Sequence, residues 1–152
     1  LIVLVVNAFL AQATRVEGQS MEPSLHNDQR LVIEKVSYHF RPPKRGDIVV
    51  LKLPNRQSAP LIKRVIALPG ETIEIKDGHV YINGQVLEEP YLNQLTFGTM
   101  PPHTVSPGHV FVLGDNRNAS NDSRSFGEVA LSDIIGHAWL RYWPLDEIGL
   151  IH

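Results

Sequence analysis

A chain of 152 residues with a formal net charge of −2 amounts to about one domain, large enough to bury a real core and without an electrostatic bias toward nucleic acid. It contains no cysteine, which excludes disulfides, thiol nucleophiles and thiolate metal sites together. Its seven histidines are scattered without compact ligand spacing, so they read as surface or satisfied structural residues and no metal or other cofactor is expected.

Leu1 to Ala13 is almost wholly apolar and carries no charge. Alone it is too short for a spanning helix, which needs roughly 20 such residues. It reads as the C-terminal part of a membrane anchor (1–13), with a buried strand or helix of the core as the alternative. Residue 1 is not Met, so sequence upstream is expected. From Arg30 onward the pattern is β. Arg30–Val36, Asp47–Leu53 and Leu61–Leu68 are rich in β-branched residues, separated by a basic loop over 41–46 and a polar loop over 53–60. Asp77-Gly78 and Asn83-Gly84 lie between short alternating runs and predict two successive tight hairpins within 72–87. Residues 88–108 are rich in Pro, Thr and Gly and read as an irregular excursion. His109–Leu113 resumes the strand pattern, Gly114–Gly127 is a long polar loop, and 129–135 is expected to hold one helical turn capped by Ser132. Ala138–Trp143 is the last expected strand. The fold class is therefore mainly β, with one β domain over 14–152.

Three groups carry chemistry. In Gly18-Gln19-Ser20-Met21-Glu22-Pro23-Ser24-Leu25, Gly18 permits a close backbone approach and Pro23 forbids regular structure, so Ser20 sits in a turn. Such a turn either holds a hydroxyl at the lip of a cleft or is a plain polar connection. Lys63 lies inside an apolar strand, where alternation puts it on one face with Leu61 and Val65. Burial of that face would disfavour the ammonium and leave a neutral amine able to take a proton from a serine hydroxyl. The alternative is an edge lysine that blocks aggregation. Arg64, on the other face, reads as structural. In the loop Gly114–Gly127, Asp122 and Arg124 have the spacing of a charge-assisted clamp, and Ser120 is free to bond a nearby amine. A polar stretch of fourteen residues with a glycine at each end is long for a connector. A nucleophile elbow does not fit, because Glu22 stands where G-x-S-x-G needs glycine.

These groups, in this order, closely resemble type I signal peptidases, membrane-anchored serine proteases with a Ser-Lys dyad. The matching segments are Gly18–Leu25, Lys44–Val50, Lys63–Glu71 and Gly114–Arg124, which run through most of the chain. The resemblance implies an antiparallel β domain, shared with repressor autoproteases, with a reduced β insertion at about 77–108. It implies Ser20 as nucleophile, Lys63 as general base, and Ser120 as the hydroxyl that orients the Lys63 amine, with Asp122 and Arg124 paired behind it. Glycine at position 18 removes one possible oxyanion-hole hydroxyl and leaves the Ser20 N–H as the expected donor. A substrate peptide is expected beside Gly18, Gln19 and Met21. Val16, Met21, Leu25 and Ile62 would line a shallow pocket for the small residues of Ala-x-Ala sites. The implied partners are signal-peptide-bearing preproteins and, through the anchor, a lipid bilayer. The implied location is the outer face of a membrane such as the bacterial plasma membrane. The competing readings are a self-cleaving repressor-type protease and a non-catalytic peptide-binding module.

Overall fold

The computed structural model describes residues 1–2, 10–55 and 59–152. Two antiparallel sheets organise it. The larger runs β1 (Ala11–Arg15), β2 (Arg30–Glu34), β11 (Ile134–Trp143), β3 (Ile48–Leu51), β4 (Leu61–Ala67), β9 (His109–Leu113) and β10 (Val129–Ala130), with β12 (Gly149–Leu150) paired to β11. The smaller runs β7 (Gln85–Val86), β6 (His79–Ile82), β5 (Thr72–Lys76) and β8 (Met100–Thr104). This is a mainly β fold with a small β insertion between the lysine strand and the polar loop.

The expected anchor falls mostly on residues 3–9, which lie outside the described residues. The boundary drawn after Ala13 cuts through β1, whose register with β2 runs from Ala11↔Glu34 to Arg15↔Arg30, so the β domain already includes Ala11. Among the described residues no helix is long and apolar enough to cross a membrane.

Both hairpins form at the expected dipeptides. Asp77 and Gly78 have φ of 54° and 81°, and Asn83 and Gly84 have 52° and 83°. Two successive positive φ values are what a two-residue turn needs to match strand twist. The excursion at 88–108 is less irregular than its composition implies, because Met100–Thr104 pairs with β5. Pro101 and Pro102 are tolerated there because β8 is an edge of its sheet, where missing N–H donors cost no ladder bond. The helical turn expected at 129–135 is instead strand β10 followed by a 3-10 turn at Leu131–Asp133. Ser132 lies inside that turn and caps nothing; the N-cap is Ala130, without a side-chain bond. Residues 129 and 130 find ladder partners in β9, and a tertiary pairing of that kind overrides local capping preference.

β11 bridges the two halves of the large sheet by pairing with both β2 and β3, and three register shifts along it bend the sheet. Gly136 sits at one of these shifts. A Cβ there would lie 2.7 Å from the Glu34 carbonyl oxygen, so only glycine lets β11 approach β2 this closely. β4 lies between β3 and β9 and is covered on both faces; from Ile62 to Ala67 every residue is buried. Beside it, Val16, Met21, Leu25, Leu31, Ile33, Ile48, Val50 and Ile62 form one apolar cluster. A second cluster, built on Ile66, Ile73, Ile75 and Phe111, joins the insertion to the main sheet.

Candidate active site

The turn that carries Ser20 is held from below by apolar burial and from its ends by hydrogen bonds. Met21 and Leu25 are 2% and 1% exposed. Each such burial contributes about 1.5–3 kcal/mol. The Val16 N–H donates to the Gln29 carbonyl at 2.8 Å, and the Asp28 N–H returns a bond to the Val16 carbonyl at 2.9 Å. Gly18, at φ +86°, donates its N–H to Asn27 Oδ1 at 2.7 Å. The turn closes through Glu22 N–H to Gln19 O and Leu25 N–H to Met21 O. Among the described residues the Ser20 N–H has no hydrogen-bond partner.

Lys63 reaches this turn from the middle of β4. It is 3% exposed, and its Nζ donates to Ser20 Oγ at 2.8 Å across 43 residues of chain. Loss of hydration pushes its pKa below the ordinary lysine range; the Asp122 carboxylate opposes that shift and the Arg124 cation adds to it. A buried amine with a weakened hold on its proton, bonded to an alcohol, has the chemistry to take that alcohol's proton.

The polar loop supplies the third side. The Asn116 N–H donates to the Ser20 carbonyl at 2.9 Å, and Asn116 Nδ2 to the Gln19 carbonyl at 3.0 Å. Asp122 caps the one-turn helix α1 (Ser123–Phe126) and accepts from the Arg124 Nε and Nη2, both at 2.8 Å, and from the Gly114 N–H at 3.0 Å. Burial alone would raise the Asp122 carboxyl, but the bonds from Arg124 and Gly114 outweigh it and hold the pKa below the usual carboxylate range. The expected bond between Ser120 and the Lys63 amine is not formed. Ser120 Oγ is buried and, among the described residues, has no hydrogen-bond partner. It packs instead against Gly114, where an added Cβ would lie 2.1 Å from Ser120 Oγ and 2.6 Å from the Ser20 carbonyl oxygen. The Lys63 amine bonds Ser20 instead.

Two further buried pairs hold these parts together, with partners too far apart in the chain for spacing to join them. Arg64, 2% exposed, donates from Nε and Nη2 to Asp115 at 2.9 and 2.6 Å, and from Nη1 to the Gly46 carbonyl at 2.8 Å. Ser24 Oγ donates to the same Asp115 carboxylate at 2.5 Å. Arg64 thereby ties the lysine strand to the polar loop and to the Ser20 turn. Arg117 likewise meets Glu89 from the insertion, at 3.0 and 2.5 Å. The available signal was the presence of two adjacent cations, Lys63 and Arg64, in an apolar strand buried on both faces. Such a strand requires a carboxylate for any cation that stays charged. Which carboxylate cannot be read from spacing.

Of the expected pocket residues, Val16, Met21, Leu25 and Ile62 all belong to the cluster beneath the turn, packed on one another. Gln19 and Gly18 lie exposed on its rim.

Comparison with known proteins gives the class first: this β architecture, with its turn and lysine strand, is that of the S26 peptidases, which are serine endopeptidases. The family model "Signal peptidase, peptidase S26" matches residues 1–143, and the chain belongs to that signal peptidase family. It is 44% identical over 151 residues to signal peptidase I of Leptolyngbya laminosa, covering 95% of this chain and 74% of that relative. It is also 44% identical to a probable signal peptidase I of Synechocystis, covering 96% and 78% of the two chains. Thylakoidal processing peptidase 1 of Arabidopsis thaliana is 37% identical over 92% of this chain and 44% of its own length. The crystal structure of a signal peptidase I from Enterococcus faecalis superposes with a TM-score of 0.57 at 36% identity, covering 64% of this chain and 97% of that one.

Proposed function

We propose that this chain removes N-terminal signal peptides from exported preproteins, with Ser20 as nucleophile and Lys63 as general base. The observation that carries the reading is the 2.8 Å bond between the buried Lys63 Nζ and Ser20 Oγ. In its neutral form that nitrogen presents a lone pair to the hydroxyl. Ser20 Oγ attacks the scissile carbonyl as Lys63 takes the proton. The Ser20 N–H, without a hydrogen-bond partner among the described residues, is the donor to the developing oxyanion. The ammonium then gives its proton to the leaving amine, and water hydrolyses the acyl-enzyme through the same base.

The substrate lies as an extended strand along Gly18, Gln19 and Met21, bonded through its backbone. The floor below it is already filled by Val16, Met21, Leu25 and Ile62, so any pocket is shallow. A filled floor admits alanine-sized side chains and rejects larger ones, which suits Ala-x-Ala cleavage sites. An N-terminal anchor over the apolar stretch before β1 would hold the catalytic domain on the outer face of a membrane, beside the bilayer-embedded part of the substrate. In the resting site Ser120 packs against Gly114 and its buried hydroxyl helps to lower the Asp122 pKa; that hydroxyl is available to the amine during turnover.

The test is S20A and K63M, each checked for an unchanged circular-dichroism spectrum and assayed on a preprotein with an Ala-x-Ala site. Both are expected to lose cleavage by at least a thousandfold, on the order of what loss of a nucleophile or its base costs. Wild-type cleavage by either folded variant would end the dyad assignment. A serine-reactive acylating inhibitor is expected to label wild type and not S20A.

A further inference from the structure

The insertion is tied to the catalytic scaffold through one buried carboxylate. Glu89, whose side chain is 7% exposed, accepts from Arg117 Nη1 at 3.0 Å and from Nη2 at 2.5 Å. Tyr91 donates its hydroxyl to the same carboxylate at 2.8 Å. The Tyr91 ring lies under the Arg64 guanidinium, 3.8 Å from its centroid, next in sequence to Lys63. Arg117, 1% exposed at its side chain, also donates from Nε to the Gly114 carbonyl at 2.9 Å.

Gly114 is the residue at which an added Cβ would run into Ser120 and the Ser20 carbonyl oxygen, so its backbone lies close to both. Two elements therefore grip it. The Asp122 carboxylate takes its N–H, and the Arg117 guanidinium takes its carbonyl. The first grip is local to the loop. The second depends on a residue 28 positions away, because without Glu89 the Arg117 cation is buried with no carboxylate bonded to it. A guanidinium in that state turns or draws in water, and its planar fork no longer fixes Nε against one carbonyl.

The structure assigns Glu89 as a positioning residue for the cleavage reaction: acting through Arg117, it holds the Gly114 backbone against the nucleophile turn. Tyr91 fixes the carboxylate that does this. The inference rests on the Ser20–Lys63 reading above. Its chemistry is the geometry of attack. A displacement of reacting groups on the order of 1 Å costs about a hundredfold in rate. Among the described residues, Gly18 and Gln19, where the peptide binds, share no hydrogen bond with Glu89, Tyr91 or Arg117, so peptide binding is not the quantity that changes.

The experiment compares E89Q, Y91F and S20A with wild type in steady-state cleavage of a signal-peptide substrate, with melting temperatures recorded beside the kinetics. E89Q keeps the shape of the side chain and removes its charge. It is expected to lower kcat by about ten- to a hundredfold with KM within about twofold of wild type. Y91F removes one hydrogen bond and keeps the ring on Arg64; it is expected to lower kcat by about threefold, again with KM unchanged. A wild-type kcat in folded E89Q overturns the inference, even if its melting temperature falls, since that is what a purely structural tie would give. If E89Q does not fold, Y91F decides: reduced kcat at unchanged KM supports the assignment, and a wild-type kcat overturns it. S20A separates the two levels. Activity surviving in S20A removes the dyad reading itself, whereas inactive S20A with a wild-type kcat in E89Q removes only the role of Glu89.

Discussion

Asp115→Ala tests the buried frame that brings lysine strand, Ser20 turn and polar loop together. In the folded chain the Arg64 and Asp115 side chains are 2% and 0% exposed. The carboxylate accepts three bonds: two from Arg64, at 2.9 and 2.6 Å, and one from Ser24 at 2.5 Å. Truncation leaves the guanidinium buried. Its remaining hydrogen-bond partners are the Gly46 carbonyl at 2.8 Å, the His152 main-chain oxygen at 3.3 Å and the Ser24 hydroxyl at 3.4 Å, and none of them is an acidic side chain. Removing one partner of a buried ion pair costs about 3–5 kcal/mol, because the other charge is left uncompensated. A domain of this kind has about 5–15 kcal/mol in all. With about 2–4 °C lost per kcal/mol at this chain length, the melting temperature should fall by about 6–20 °C. Thermal and urea unfolding followed by far-UV circular dichroism measure it. The double variant R64M/D115L should recover part of the loss, a coupling of at least about 1 kcal/mol, since no lone charge then remains. A D115A protein within about 0.5 kcal/mol of wild type would refute the reasoning, by showing that water already screens this pair.

Three other outcomes are expected. K63M should melt above wild type at pH 7. The lowered Lys63 pKa means that, between the folded value and the ordinary value near ~10.4, the unfolded chain binds the extra proton. Wild-type stability therefore rises with pH through that window, and K63M should flatten the rise in melting curves taken from pH 7 to 10. A less stable K63M at pH 7 would contradict this. G114A places a Cβ 2.6 Å from the Ser20 carbonyl oxygen, which is backbone and has little room to yield. It should lose about a hundredfold in cleavage rate, for a stability cost of about 1–3 kcal/mol; cleavage assays and urea titrations separate the two. The depressed Asp122 pKa contributes stability above its unfolded value near ~3.9, and that contribution disappears as pH falls through the folded value. D122N should accordingly show a shallower acid-unfolding dependence than wild type, read by circular dichroism from pH 6 to 2.

Much of the architecture was legible because it is written in local chemistry. Asn83-Gly84 and Asp77-Gly78 announce their turns through the φ values they tolerate, and β4 and β9 announce themselves through β-branched runs. The failures share one cause. Met100–Thr104 looked irregular because its prolines deny two donors, but at a sheet edge no partner asks for them. Ala11–Arg15 has a weak strand signature and forms because β2 lies alongside. Val129 and Ala130 pair with β9 for the same reason. At the site, Asp122 and Arg124 sit two residues apart, and their clamp was visible as spacing. Glu89 with Arg117, and Asp115 with Arg64, are 28 and 51 residues apart, and nothing in the spacing joins them.

By itself, the sequence determined that this chain carries a serine in a rigid turn, a lysine in an apolar strand and a polar loop, in the order of the signal peptidases. Tertiary structure alone decided that the amine meets the hydroxyl at 2.8 Å, that Ser120 packs on Gly114 instead of bonding the amine, and that two distant carboxylates hold the frame. The physical reason is range. Backbone preference and burial pattern act over a few residues and leave their mark on composition. The partner of a buried charge is chosen only when the sheets close and water is excluded from around it.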